Sequence, residues 1–555
     1  MLLYGVSGLL WSGNLNAQQL EQIGQKDPFS IHGNISANVI GYHASGIEDR
    51  ARPFALALSA NATISSYGIE IPFYFRFSDK RVDYAQPFNQ FGLSPSYKWV
   101  TTHLGYRNIS FSDYTLAGHT FLGAGVELNP GKLRFGAVYG RFRKSTNNFE
   151  NAIDTTRNLS RRGYALKLGV GSEKTFIDFI FLKIADDSTS AIRQPGDVYT
   201  PAEANMVTGV NTRISFSKKL WFEAEIAGSL YTTDVAAFGF DGMEDNKWLS
   251  RLNKVTPVNQ SSEVLTAVKS SLNYKTRTFS TRLEYRRIDP NYRSMGAYFF
   301  NNDLENLLVA PAFTLFKRKL NIRGSVGIQR NNLRNTRKAT SIRTISSVNV
   351  SYNPVPVFGI DLNYNNYSSN QRAGRLPLID SLRFYQATTN LGIMPRLMIV
   401  NEKYSHVVLL LFNKMKLNDK NSNTQLITEN DATIANLNYN LGFTSSAITL
   451  SFGVTYNQLK NYITKNIATG FTLGASKTWF DGNLMSGLSN TLVSSSSDNT
   501  SNSLTLSSSL ISSYKINAHH SLRLNLFFIR FSTEESGTEP TFNELKGDFG
   551  YVFTF

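Results

Sequence analysis

The chain of 555 residues carries 57 Lys and Arg against 41 Asp and Glu, a formal charge of +16, and has no cysteine. Hydrophobic residues make up 41%, and after residue 20 no apolar run approaches the roughly 20 residues of a spanning helix, so a helical membrane protein is excluded. Without cysteine there is neither a disulfide frame nor a thiolate metal site. The basic residues are scattered among strands and turns rather than massed on helices, which excludes nucleic-acid recognition and leaves lipid phosphates or anionic solutes as the partners of the positive charge.

No composition shift or linker divides the chain, so one architecture is expected. Residues 1–17 form an apolar stretch through Leu2, Leu3, Val6, Leu9 and Leu10 that reads as the hydrophobic part of a signal peptide. It lacks a basic start, so either the true start lies upstream or the stretch is a short amphipathic helix. Residues 18–28 then form a short periplasmic lead, too short for a plug domain.

From Phe29 onward the dominant signal is alternation at period two. Tyr164, Leu166, Leu168 and Val170 oppose Ala165, Lys167 and Gly169; Ile448, Leu450, Phe452 and Val454 oppose Thr449, Ser451, Gly453 and Thr455. Helical spacing would not keep these sets apart. Strands are predicted near 29–42, 53–65, 68–78, 116–128, 132–142, 162–171, 174–184, 204–217, 220–232, 263–275, 278–288 and 304–316. The remainder lie near 320–331, 340–352, 356–367, 380–394, 405–416, 428–441, 446–458, 464–477, 481–493, 501–514, 519–531 and 541–555. Short turns such as 218–219 and 353–355 alternate with long polar connections such as 143–161, 185–203 and 233–262. Aromatics at 12%, with abundant Gly, Ser, Thr and Asn, suit strands that alternate lipid contact with a wet interior.

Between 79 and 115 the pattern is ambiguous. Residues 98–107 look like a strand, yet counting them gives an odd total of 25 that would leave the chain ends on opposite sides of a membrane. The expectation is therefore a transmembrane antiparallel β-barrel of about 24 strands (22–26), with 79–115 as one large insertion on the long-loop side. That insertion carries Phe88, Phe91, Tyr97 and Trp99, and it and 233–262, with a short helix over 243–255, are expected to fold into or over the lumen.

Chemistry is scarce. The histidines (His32, His43, His103, His119, His406, His519, His520) have no recognisable ligand spacing. Gly123-Ala124-Gly125 lies inside a strand pattern and is packing glycine rather than a phosphate loop. No set of Asp, His and Ser is singled out as a protease or lipase site, so neither an enzyme nor a cofactor is expected. The polar feature with a direction is basic: from 306 to 360 there is no acidic residue. On strand parity Lys269, Arg282, Arg286, Arg323 and Arg343 point inward along one wall, with Glu284 among them. They either favour anions in the lumen or hold an inserted loop.

In the last strand Leu545, Gly547, Phe549, Tyr551, Phe553 and Phe555 share one face. This resembles the Gram-negative outer-membrane β-barrel proteins, and the resemblance implies an outer-membrane location, contact with outer-membrane lipid and lipopolysaccharide, and use of Phe549, Tyr551, Phe553 and Phe555 as the signal read by the barrel-insertion machinery. The phrases Phe88-Asn89-Gln90-Phe91-Gly92-Leu93-Ser94-Pro95, Ser96-Tyr97-Lys98-Trp99, Tyr114-Thr115-Leu116-Ala117-Gly118-His119, Pro130-Gly131-Lys132-Leu133-Arg134-Phe135 and Tyr139-Gly140-Arg141 are similar to large outer-membrane barrels of Bacteroidota. That similarity covers about 60–145 and implies work beside secreted or surface-attached proteins. The function expected is a channel or porin-like route with a loop-restricted, basic lumen. The alternative is a non-conducting barrel that anchors, assembles or helps export a surface or secreted protein.

Overall fold

A computed structural model describes residues 29–79, 90–145, 158–190, 199–240, 247–298, 301–375, 383–497, 502–533 and 541–555. Residues 1–28, expected to be a signal peptide and a short lead, and Phe88 lie outside the described residues. The strands are β1 (Phe29–Ser45), β2 (Phe54–Ser66), β3 (Ile69–Ser78), β4 (Gln90–Leu93), β5 (Ser96–Tyr97), β6 (Val100–Ser110), β7 (Ala117–Leu128), β8 (Leu133–Arg143) and β9 (Ser160–Gly171). They continue with β10 (Phe176–Asp187), β11 (Ala204–Ser215), β12 (Leu220–Thr232), β13 (Ser262–Lys275), β14 (Phe279–Ile288), β15 (Leu304–Leu315), β16 (Leu320–Arg330), β17 (Ala339–Val355) and β18 (Phe358–Ala373). The last are β19 (Tyr385–Val400), β20 (Tyr404–Asp419), β21 (Asn430–Phe443), β22 (Ile448–Asn461), β23 (Lys465–Trp479), β24 (Leu484–Ser497), β25 (Asn502–Lys515), β26 (His520–Thr533) and β27 (Phe542–Thr554). A helix, α1 (Lys247–Val255), lies between β12 and β13, and a single helical turn, α2 (Gln425–Thr428), between β20 and β21.

The strands pair antiparallel in one sheet, and β27 pairs with β1 as well as with β26, so the sheet closes on itself. At the seam Gly33 and Phe555 exchange both backbone hydrogen bonds, at 2.9 and 3.0 Å. Closure is what a membrane demands, because an open edge would leave N–H and C=O groups without partners in lipid.

The segment 79–115 differs from the expectation. β4 and β5 occupy one wall position between β3 and β6, and β6 runs beside β7 over its whole length. Among the described residues the 27 segments therefore make 26 crossings, an even number within the expected 22–26, and 79–115 supplies two wall positions instead of one insertion. The reason is physical: Ser94-Pro95 interrupts the first of the two crossings, since proline has no N–H to donate, and leaves pieces of four and two residues. Neither piece has the length by which a crossing is recognised, and without that partner β6 spoils the count. Other boundaries shift less; β18 continues to Ala373 and β19 runs from Tyr385 to Val400.

Register fixes which side chains face inward. Glu225, Lys269, Arg286, Asn306, Gln329 and Arg343 stand opposite one another in sequence across β12 to β17. On the other face Leu168, Phe179 and Ile226 lie in a cross-strand row and are 57%, 58% and 55% exposed. In water such a belt of exposed apolar side chains would be strongly unfavourable; in a bilayer it is solvated. The turns on one end are tight, such as 67–68, 98–99 and 356–357, while the other end carries the long connections 188–203, 233–261 and 289–303. A closed antiparallel barrel with an apolar belt and this asymmetry is an outer-membrane barrel, and the outer membrane is where its wall is stable.

One arc of the wall is bent around glycine. Gly92, Gly105, Gly123, Gly140 and Gly163 are successive partners across β4, β6, β7, β8 and β9, all on the inward face. A Cβ placed on Gly123 would sit 2.0 Å from the Tyr139 carbonyl oxygen, and one on Gly140 2.6 Å from that of Leu122. Glycine is required because the strands coil too closely for any side chain there.

Candidate functional site

The candidate site is the lumen. Twenty-six strands about 4.8 Å apart and tilted near 40° enclose a ring about 50 Å across when circular. Side chains alone cannot fill it, and the two halves of the wall treat the space differently.

Along β6 to β15 the lumen is packed. The connection 111–116, between β6 and β7, turns inward as a finger, and residues 289–298, which follow β14, lie against it. The Tyr114 N–H donates to Glu225 Oε1 (2.6 Å), Lys269 Nζ to Asp113 Oδ2 (2.8 Å), and the Tyr292 hydroxyl to the Tyr114 carbonyl (2.7 Å). Ser294 Oγ donates to the Thr115 carbonyl and the Met295 N–H to Asn205 Oδ1. Phe111, Leu116, Phe121, Phe142, Leu182 and Tyr292 are buried in this block. Inward glycines make the room: a Cβ at Gly136 would meet the Phe111 ring at 2.8 Å, and one at Gly209 the Thr115 methyl at 2.9 Å. Burial without water pushes the Tyr114 and Tyr292 hydroxyls far above the ordinary tyrosine range, so both stay neutral hydrogen-bonding groups.

Along β16 to β26 the inward face is mostly polar, with Ser, Thr and Asn prominent, and is interrupted by Leu409 and Leu411 on β20 and by Phe527, Ile529 and Phe531 on β26. Asn349 stands opposite Asn363, and Asn365 opposite Asn390; Ser325 and Ser347 share a hydrogen bond at 2.7 Å, as do Thr472 and Thr491 at 2.9 Å. The loop 233–261 does not fill this space through its helix. α1 buries none of its residues, and Trp248 is 71% exposed. Of the expected helix over 243–255, residues 243–246 lie outside the described residues.

The five inward cations of the sequence reading all lie on lumen-facing positions, but they do not act alike. Lys269 is tied to Asp113 on the finger; Arg282 and Arg286 flank the buried Glu284 at 3.6 and 2.8 Å. Arg323 is exposed and has no ion-pair partner among the described residues, and Arg343 keeps its Nε buried without a hydrogen-bond acceptor. Phe549, Tyr551 and Phe553 lie on the outward face of β27, with the Tyr551 hydroxyl 2.6 Å from His520 Nδ1 and Phe555 at the seam.

At the long-loop mouth of the packed half, Arg161 donates to Asp186 through Nε (2.7 Å) and Nη2 (3.0 Å), and to Glu203 (2.5 Å). Arg143 reaches Asp186 at 3.0 Å, and Arg293 reaches Glu203 at 3.3 Å. Burial tends to raise the Glu203 carboxyl, but the Tyr231 hydroxyl, Arg293 and Arg161 outweigh it and hold it below the usual range. The sequence reading named neither this network nor Glu225 and Tyr292, and it gave Tyr114 only within a family-like phrase. The inward glycines of β7 to β9, with Gly209 on β11, are the signal that something presses on that wall.

No protein-family model matches the sequence, and no curated protein matches it. Among solved structures, the FrpB iron transporter of Neisseria meningitidis (F5-1 variant) has 9% identity and a TM-score of 0.39, over 94% of this chain and 82% of that one. OccAB2 of Acinetobacter baumannii has 10% identity and a TM-score of 0.31, over 69% and 97%. OccK10 (OpdN) of Pseudomonas aeruginosa has 12% identity and a TM-score of 0.33, over 61% and 93%. At such identities no residue of this chain inherits a role from them.

Proposed function

We propose that this barrel is a porin-like channel of the outer membrane, rather than an enzyme, in which water and small solutes pass along the polar half of the lumen. The supporting observation is the asymmetry of the inward face: a finger and its backing segment pack against β6 to β15, while β16 to β26 present mostly serine, threonine and asparagine, with apolar patches on β20 and β26. A largely polar wall favours a water path along it. In this reading the anion preference rests on Arg323 and Arg343, because Lys269, Arg282 and Arg286 are offset by Asp113 and Glu284. Outer-membrane lipid and lipopolysaccharide solvate the belt, the barrel-insertion machinery reads the face of Phe549 to Phe555, and the Bacteroidota affinity expected for 60–145 belongs to the same reading.

The test is single-channel recording of the full-length barrel in planar lipid bilayers under a KCl gradient. Discrete conductance steps with a reversal potential favouring chloride, shifted toward potassium in R323Q/R343Q, are expected. A heat-modifiable, correctly assembled barrel that conducts nothing would instead favour the role of anchor or export partner for a surface protein.

A further inference from the structure

Above the finger, the lumen-facing ends of β7, β9, β12 and β13, residues 291–298 and Asn302 line a cavity of about 740 Å³, within the roughly 300–1,000 Å³ of small-molecule sites. Its most distinctive wall is an aromatic platform. The Tyr298 ring stacks on the His119 ring with centroids 4.3 Å apart and planes 17° apart, and the Tyr298 hydroxyl accepts the Thr120 N–H at 3.1 Å. One face is therefore covered and the ring is pinned at its tip, yet Tyr298 remains 59% exposed. A ring held in this way loses little freedom when a ligand stacks on it.

The polar groups around the platform set the ligand's charge. Arg161, Arg293 and Glu263 line the cavity, and behind them Asp186 and Glu203 pair with Arg143, Arg161 and Arg293. Each arginine is committed to a carboxylate, and Arg293 also meets the Tyr231 hydroxyl at 2.6 Å. Among the described residues an anion would find no unpaired cation lining this cavity, and a cation would have to compete with arginines already in place. Glu263, Gln260 and Asn291 line the cavity. A carboxylate and two amides offer acceptors and donors at several angles, the complement of vicinal hydroxyls.

We propose that this vestibule binds a neutral oligosaccharide, with the C–H face of one pyranose on Tyr298 and its hydroxyls on Glu263, Gln260 and Asn291. The proposal rests on the channel reading, since it places a capture site at the long-loop mouth beside that route, but binding is measured without conduction. The experiment is calorimetric titration of the detergent-solubilised full-length barrel with maltotriose, cellotriose and chitotriose, and with glucose 6-phosphate and adenosine as the anionic and flat-ring comparisons. At least one neutral trisaccharide should bind, about tenfold more weakly to Tyr298→Ala and with little change to Tyr298→Phe, which keeps the ring. Glu263→Gln tests the hydroxyl side from a different element and should weaken the same sugar severalfold. Binding of none of the trisaccharides, binding of glucose 6-phosphate or adenosine in their place, or equal affinity in the wild type, Tyr298→Ala and Glu263→Gln would overturn the proposal, whether or not the barrel conducts.

Discussion

The backbone N–H of Tyr114 donates to Glu225 Oε1 at 2.6 Å and so ties the tip of the inner finger to β12, far round the wall from its own hairpin. Glu225→Ala removes the acceptor of that bond, a loss of about 1–3 kcal/mol at the finger. The expected outcome is an assembled barrel with larger and noisier single-channel currents, more so with Tyr292→Phe, which removes the second tie, to the Tyr114 carbonyl. Currents identical to wild type would show that the finger is not the restriction.

The glycine row makes a sharper structural claim. Gly123→Ala places a methyl group 2.0 Å from the Tyr139 carbonyl oxygen, where only backbone movement can relieve the clash. A loss of about 3 kcal/mol or failure of assembly is expected. At Gly228 the nearest atom to an added Cβ is Thr208 Oγ1 at 3.9 Å, so Gly228→Ala should stay within about 0.5 kcal/mol. The heat-modifiable fraction on gels compares the two.

On the lipid side, Phe452 is 40% exposed on β22, between the inward residues Ser451 and Gly453. Phe452→Arg should cost about 2–4 kcal/mol near the bilayer midplane, whereas Thr455→Arg, on the lumen face, should be tolerated. Equal unfolding midpoints in denaturant for the two variants would refute the assignment of faces.

Two tight turns share one backbone shape but not one chemistry. Phe480, Asp481 and Gly482 have φ of 52°, 51° and 97°, and Phe316, Lys317 and Arg318 have φ of 50°, 53° and 72°. The left-handed region suits Gly482 and disfavours Arg318. Arg318→Gly should therefore stabilise the barrel by about 0.5–1 kcal/mol, read as a higher denaturation midpoint; a lower one would mean that the Arg318 side chain has a stabilising contact.

Acid should loosen the long-loop mouth. Because Glu203 is held below its ordinary value of 4.5, it binds its proton more weakly folded than unfolded. Its contribution is thus fully present above about pH 4.5 and is lost as the pH falls through the lower, folded value. Glu203→Gln should remove that part of the acid dependence while lowering stability at neutral pH, measured as thermal midpoints across pH 3–7 on the scale of about 1–3 kcal/mol for a charged hydrogen bond.

Period-two alternation determined much of this protein from sequence alone. It is a local property, so the outward belt, the inward placement of Lys269, Arg282, Arg286, Arg323 and Arg343, and most strand limits could be read from neighbouring residues. It failed at β4 and β5 because Pro95 cuts that crossing into pieces too short to carry a period. Tertiary structure decided which inward cations are already neutralised, and that half of the lumen is filled. Those outcomes depend on meetings between distant parts of the chain, Tyr114 with Glu225 across 111 residues and Tyr292 with Tyr114 across 178, and no local pattern encodes a contact at such separation.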